Sequence, residues 1–181
     1  MKPYLFLSCL LLGAGISMSS LADTRVVDAL WGSSEMDAVL SASAAFLYIV
    51  FGEYLVHRFV LHGRVFGNNK WRREHLLHHK VGDDDHWFGP SVIGGLLASS
   101  PLIAVIFYLT GIYGCIWSCC VILTYLCFSK AVHRSVHQPH FLRRMPWHNS
   151  ISKPHKAHHL RPNCSFSLVF PFVDRVFGTT S

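Results

Sequence analysis

The chemistry in this sequence is concentrated in its histidines. Thirteen of 181 residues are histidine, and ten of them fall into four tight groups. These are His57 with His62, the triplet His75, His78 and His79, the pair His133 and His137, and the triplet His155, His158 and His159. The pattern H-x-x-H-H thus occurs twice. On an α-helix, positions i, i+3 and i+4 share one face, so each triplet is expected to point three imidazoles at one place. Neutral imidazole is the commonest metal-binding side chain. Ten imidazoles exceed the roughly three to five that one ion takes, so two metals are indicated.

The other polar residues near these groups read differently. His57 and His62 are five apart, about 140° around a regular helix. They cannot share a face without local unwinding or a bulge; otherwise they serve two different metals. Glu53 stands one turn before His57. It is expected either to accept the second ring N–H of that histidine, fixing its tautomer, or to pair with Arg58 at a membrane interface. His140 and His148 lie in a loop and His86 follows Asp83-Asp84-Asp85; supporting or interface roles are expected for all three rather than ligation.

Several other chemistries lack their motifs. H-E-x-x-H, the metalloprotease arrangement, is absent, as are G-x-G-x-x-G for a flavin or nicotinamide and G-x-S-x-G for a serine hydrolase. A redox reaction here would need electrons from another protein. The six cysteines contain no C-x-x-C pair, and all but Cys164 sit in apolar stretches, which suits packing better than a zinc ribbon or a disulfide framework.

The elements that must position the histidines are membrane helices. The chain is 51% hydrophobic and only 14% charged, with a mean hydropathy of +0.32, outside the usual range of a soluble domain this size. Uncharged runs of roughly 20 residues can span a bilayer. Residues 1–22 read as a signal peptide or a first transmembrane helix, residues 23–37 as a short acidic external segment, and residues 38–181 as one membrane domain. Within it, 38–56 forms a span. Residues 86–129 carry no Asp, Glu, Lys or Arg and suit a hairpin of two helices turning near Gly111-Ile112-Tyr113-Gly114. Pro154 is expected at the start of the helix bearing the second triplet. The apolar run Phe166–Val173 is too short to span and is expected to lie at the interface or close over the site.

Charge distribution sets the orientation. Fourteen of the sixteen Lys and Arg residues lie in 58–80 and 130–175, beside the histidines, which places that side in the cytoplasm. The net charge of +6 is therefore read as topology and not as a nucleic-acid surface. The fold class is all-α: an integral, multi-pass membrane helical bundle with three to four spanning helices and a cytoplasmic histidine-rich di-metal site.

In its motif order, H-x4-H, H-x2-H-H, H-x3-H, H-x2-H-H, the chain resembles the fatty acid hydroxylase/sterol desaturase superfamily over roughly residues 50–181. The run Glu53–His62 is similar to the opening motif of the fatty acid 2-hydroxylases, and His75–Lys80 followed by Asp83 and Pro90 is similar to their second motif. His133–His137 and the closing Asp174-Arg175-Val176-Phe177-Gly178-Thr179 look more like the sterol desaturase branch, while the compact spacing is similar to that of bacterial carotenoid hydroxylases. The resemblance implies that His57, His62, His75, His78, His79, His133, His137, His155, His158 and His159 bind two iron ions, with zinc an alternative ion in the purified protein. It implies an oxygenase that uses O2 to hydroxylate a lipid (fatty acyl chain, sterol or carotenoid) or to desaturate it. Electrons would come from an external donor such as ferredoxin or cytochrome b5 with its reductase. The sequence contains no cytochrome b5 domain of the kind some relatives carry, and Lys130-Ala131-Val132, just before the third motif's first histidine, lacks the tyrosine that several relatives have there. The competing readings of the residues are a non-catalytic metal-binding membrane protein, a membrane cytochrome with bis-histidine haem, and a zinc-dependent hydrolase.

Overall fold

The computed structural model describes residues 35–82 and 92–181. The expectations for 1–22 and 23–34, for Asp83-Asp84-Asp85 with His86, and for Pro90 lie outside the described residues. Every element among the described residues is helical.

Helix α1 spans Glu35–Leu55 and starts earlier than its apolar run, because Glu35 and Asp37 fall in the first turn, where carboxylates favour the positive end of the helix dipole. It passes directly into a π-helical segment, Val56–His62. The Gly63 N–H donates to the Arg58 carbonyl at 2.9 Å, a bond reaching back five residues, as π geometry requires.

After a short connection, α2 covers Lys70–Val81. Asn69 caps its start by accepting from the Arg72 N–H at 2.9 Å, and Gly82, with φ of 67°, closes its end through an N–H bond to the His78 carbonyl. A left-handed residue after the last turn is where glycine is favoured. Both ends of the first H-x-x-H-H helix are thus fixed by local sequence.

Helices α3 (Val92–Ala98) and α4 (Ser100–His137) are linked by a ladder that continues through Ser99, whose N–H donates to Gly95 and whose carbonyl accepts from Ile103. The long α4 is broken at Gly111, with φ of 67° and ψ of −163°, a region open essentially to glycine alone. The chain folds back there. The Cys115 thiol reaches the Ile103 carbonyl at 3.4 Å, and a Cβ added at Gly95 would meet Leu126 at 2.7 Å; neither approach exists along one straight helix. The expected hairpin and its turn are therefore present. Gly114 lets the returning arm lie close to α1, where a Cβ would collide with Thr110 and with Ser41.

A 3-10 turn (Phe141–Arg144) leads to α5, His148–Leu160. Here the expectation for Pro154 is corrected: it sits inside α5, not at its start. The helix extends upstream because His148, Ile151 and Ser152 are all buried, with His148 Nε2 2.9 Å from the Ser135 hydroxyl. That packing offsets the N–H and the steric room that an internal proline removes. Short α6 (Phe172–Val176) ends the fold.

The core lies where α1, the returning arm of α4, α5 and the closing stretch 164–179 meet. Tyr54, Ile122, Val132, Ile151, Phe166, Leu168, Val169 and Val173 are buried there together. Away from this core, large apolar side chains face outward, including Leu40, Leu47, Phe107 and Leu109. Two helical stretches, Glu35–His62 and Ser100–His137, are long and apolar enough to cross a membrane, with hydropathies of 1.7 and 1.9. An apolar exterior on such lengths suits lipid rather than water.

Candidate metal centre

The ten histidines of the four motifs converge into two adjoining groups of five. The first contains His57, His62, His75, His79 and His158; the second contains His78, His133, His137, His155 and His159. Within each group, one nitrogen per ring lies within 4.8 Å of all the others.

The membrane helices supply a pair to each group by different local geometry. His133 and His137, at i and i+4 on regular α4, share a face without adjustment. His57 and His62 share one because the π segment takes up the extra residue. Of the two options open from spacing, the chain adopts unwinding, and both histidines join one group.

The triplets behave differently from the simple expectation. Each divides between the groups instead of pointing at one place. On α2, His75 and His79 enter the first group and His78 the second; on α5, His155 and His159 enter the second and His158 the first. At about 100° per residue, i+3 and i+4 lie on opposite flanks of i, so a triplet can straddle two centres. Each group is thus a membrane-helix pair, an i/i+4 pair from one short helix and a single crossing histidine from the other. The groups touch where the His79 and His159 rings stack, with centroids 4.3 Å apart and planes within 14°.

Distances within the groups fit a shared ion. His75 Nε2 lies 3.0 Å from His57 Nε2, 2.8 Å from His62 Nε2 and 3.1 Å from His79 Nε2. His158 Nε2 is 2.9 Å from His62 Nε2. In the second group, His155 Nε2 is 3.0 Å from His137 Nε2 and 3.1 Å from His159 Nε2. One ring hydrogen cannot bridge three neighbouring nitrogens at once. Nitrogens each about 2.1 Å from a common ion, however, stand about 3 Å apart when adjacent. The donor set therefore suits a transition-metal ion in each group.

The electrostatics favour neutral rings. Burial, reinforced by the neighbouring imidazoles, holds His75 and His155 well below the ordinary histidine value. The same causes bring His79 and His159 down to about 3. Neutral imidazole is the form with a lone pair to donate.

The outer nitrogens of two first-group rings are held by main-chain carbonyls. His57 Nδ1 donates to the Phe166 carbonyl, and His158 Nδ1 donates to the Cys164 carbonyl at 2.7 Å. The contact expected between Glu53 and His57 is not formed. Glu53 Oε1 accepts from the Leu168 and Val169 N–H groups at 2.8 and 3.4 Å, and Oε2 accepts from Tyr125 and Ser129 at 2.9 and 2.8 Å. Its side chain reaches across to α4 and the closing stretch, while the carbonyl of Phe166 occupies the place beside His57. Arg58 bonds the Tyr54 hydroxyl at 2.6 Å, so the Glu53–Arg58 alternative is not formed either. Carbonyl partners carry no side-chain signature, which hid them from the sequence; an acidic residue inside an apolar span did mark Glu53 as worth explaining.

His140 caps the 3-10 turn and His148 contacts Ser135, so neither enters a group. A cleft of about 330 Å³ opens at the second group, lined by Val136, His137, Lys156, His159 and Leu160.

The fold and site together define a helical membrane protein with a polyhistidine metal-binding centre. The family model for fatty acid hydroxylases matches residues 42–179, and the chain belongs to that family, within the fatty acid hydroxylase/sterol desaturase superfamily. No curated protein matches the chain, and no solved structure does. Family membership makes the protein an oxidoreductase of lipid metabolism, of the membrane hydroxylase/desaturase type.

Proposed function

We propose that this chain is a di-iron membrane oxygenase that hydroxylates a lipid, using O2 and electrons from an external donor such as ferredoxin or cytochrome b5 with its reductase. The observation that carries the reading is the partition of ten imidazoles into two adjoining sets of five converging nitrogens. Iron held there would supply the O2-activating redox chemistry that amino-acid side chains lack.

The chain's own residues do the rest. His57, His62, His75, His79 and His158 hold one ion, and His78, His133, His137, His155 and His159 hold the other. The carbonyls of Phe166 and Cys164 keep Nδ1–H on His57 and His158, leaving Nε2 to face the ion. The cleft beside His137 and His159 gives a lipid chain a route to the second ion.

Three membrane passes fit the described helices: α1, then residues 92–110 and 112–137 of the hairpin. The shorter arm is about 28 Å of helix at 1.5 Å per residue, close to the thickness of a bilayer core. Both histidine-bearing membrane ends then lie on the side rich in Lys and Arg, the cytoplasmic one.

The test is metal identity and stoichiometry on the purified protein, paired with lipid profiles of cells that gain or lose it. Two irons and a lipid heavier by one oxygen atom are the expected result. A lipid lighter by two hydrogens would replace hydroxylation with desaturation on the same scaffold. Bound metal with an unchanged lipid profile would favour a non-catalytic metal protein.

A further inference from the structure

We infer that Glu53 and Asp174 are positioning residues for the first metal group, acting through the closing stretch 164–179 rather than by touching a metal ligand. This deepens the two-metal reading and rests on it.

The chain of contacts is continuous. Glu53 lies on α1, one turn before His57, and its two oxygens accept four hydrogen bonds. Two come from the hydroxyls of Tyr125 and Ser129 on α4, and two from the backbone of Leu168 and Val169. It therefore ties both membrane elements to the closing stretch from one side. Asp174, only 1% exposed, ties the same stretch from the other. Its Oδ1 accepts from the Phe166 N–H at 2.7 Å and the Thr179 hydroxyl at 2.8 Å, and Oδ2 accepts from the Ser167 N–H at 2.9 Å.

Just before these tethered residues the backbone takes an unusual shape. Ser165 has φ of 53°, left-handed for a non-glycine residue, and its N–H donates to the Thr179 carbonyl at 2.6 Å. This turn aims two carbonyls, of Cys164 and Phe166, into the site. They accept the Nδ1–H of His158 and His57, which come from α5 and from the π segment. Both belong to the first group. Two rings on separate elements thus take their tautomer and orientation from one short loop, and the loop takes its shape from two carboxyl groups.

A purely structural role for these carboxyls would affect the two groups alike; a positioning role would strike the first. The experiment is titration of the purified full-length protein with cobalt(II) alone, read by bound metal per chain and by the visible absorption of the cobalt. His57→Ala serves as the reference for direct damage to the first group. Glu53→Leu and Asp174→Asn are expected to weaken one of the two bound ions about 10–100-fold, the usual cost of losing a partner that orients a ligand. The remaining spectrum should match that of His57→Ala. Glu53→Gln is expected to keep both ions, since its amide oxygen still accepts from Leu168 and its NH2 can donate to Tyr125 and Ser129.

Two tight ions in both Glu53→Leu and Asp174→Asn would overturn the inference. Loss of both ions together with helical circular dichroism in Asp174→Asn, which lies outside the membrane spans, would also overturn it by showing a general folding role. If the unaltered protein binds no cobalt, the two-metal reading itself fails, separately from the roles of the carboxyls.

Discussion

At the scale of single residues, the crossing histidines make the sharpest prediction. His78 sits on the helix that serves the first group yet belongs to the second, and His158 does the converse. His78→Ala is expected to weaken the second ion and His158→Ala the first, each by more than the roughly 10–100-fold typical of losing an outer hydrogen-bond partner. Lipid turnover should vanish in both while the protein still inserts; full activity in either would remove that residue from the ligand set. Acid gives a second prediction. His79 and His159 take up protons only near pH 3 in the folded chain, against an ordinary value of 6.5. An unfolded chain binds those protons earlier, so the stability tied to keeping these rings neutral is fully present above about pH 6.5 and is lost as pH falls toward 3. Denaturation of the metal-free protein should therefore show a midpoint that falls steadily from pH 7 to pH 5. A midpoint independent of pH over that range would mean that these rings titrate in the folded chain as they do in the unfolded one.

At the scale of elements, the breaks in regular helix matter as much as the helices. Gly111 adopts a conformation essentially restricted to glycine. Gly111→Ala is expected to cost about 1–3 kcal/mol of stability, measurable as a lower thermal midpoint with unchanged metal stoichiometry. Retention of the parental midpoint would mean that the turn can relax into a different shape. The hairpin was legible from sequence because an uncharged run twice the length of one span has few alternatives, and glycine marked its turn. The four histidine groups were legible for a similar reason, since ligand type and spacing are written directly in the chain. Their partition was not. Assigning His78 and His158 to the far group depends on the tilt between α2 and α5, which no local pattern records. The π segment was legible only as a requirement, from two histidines five residues apart. Pro154 misled because its preference for a first turn was outweighed by the burial of His148 and Ile151.

At the scale of the whole molecule, the apolar exterior and the basic, histidine-bearing end define two solvents. If that end is cytoplasmic, trypsin added to inside-out vesicles should cut the connection 63–69, at Arg64, while right-side-out vesicles should protect it. The opposite pattern would invert the proposed orientation without disturbing the site. The interleaving of the two short helices has a consequence for how the protein is made. Four donors of the first group, His57, His62, His75 and His79, are synthesised early, but the fifth, His158, leaves the ribosome only with α5. The second group waits for His155 and His159 on that same helix. Neither set of five can close until α5 has been made and folded against α2, so a chain that stalls before α5 carries two incomplete sites.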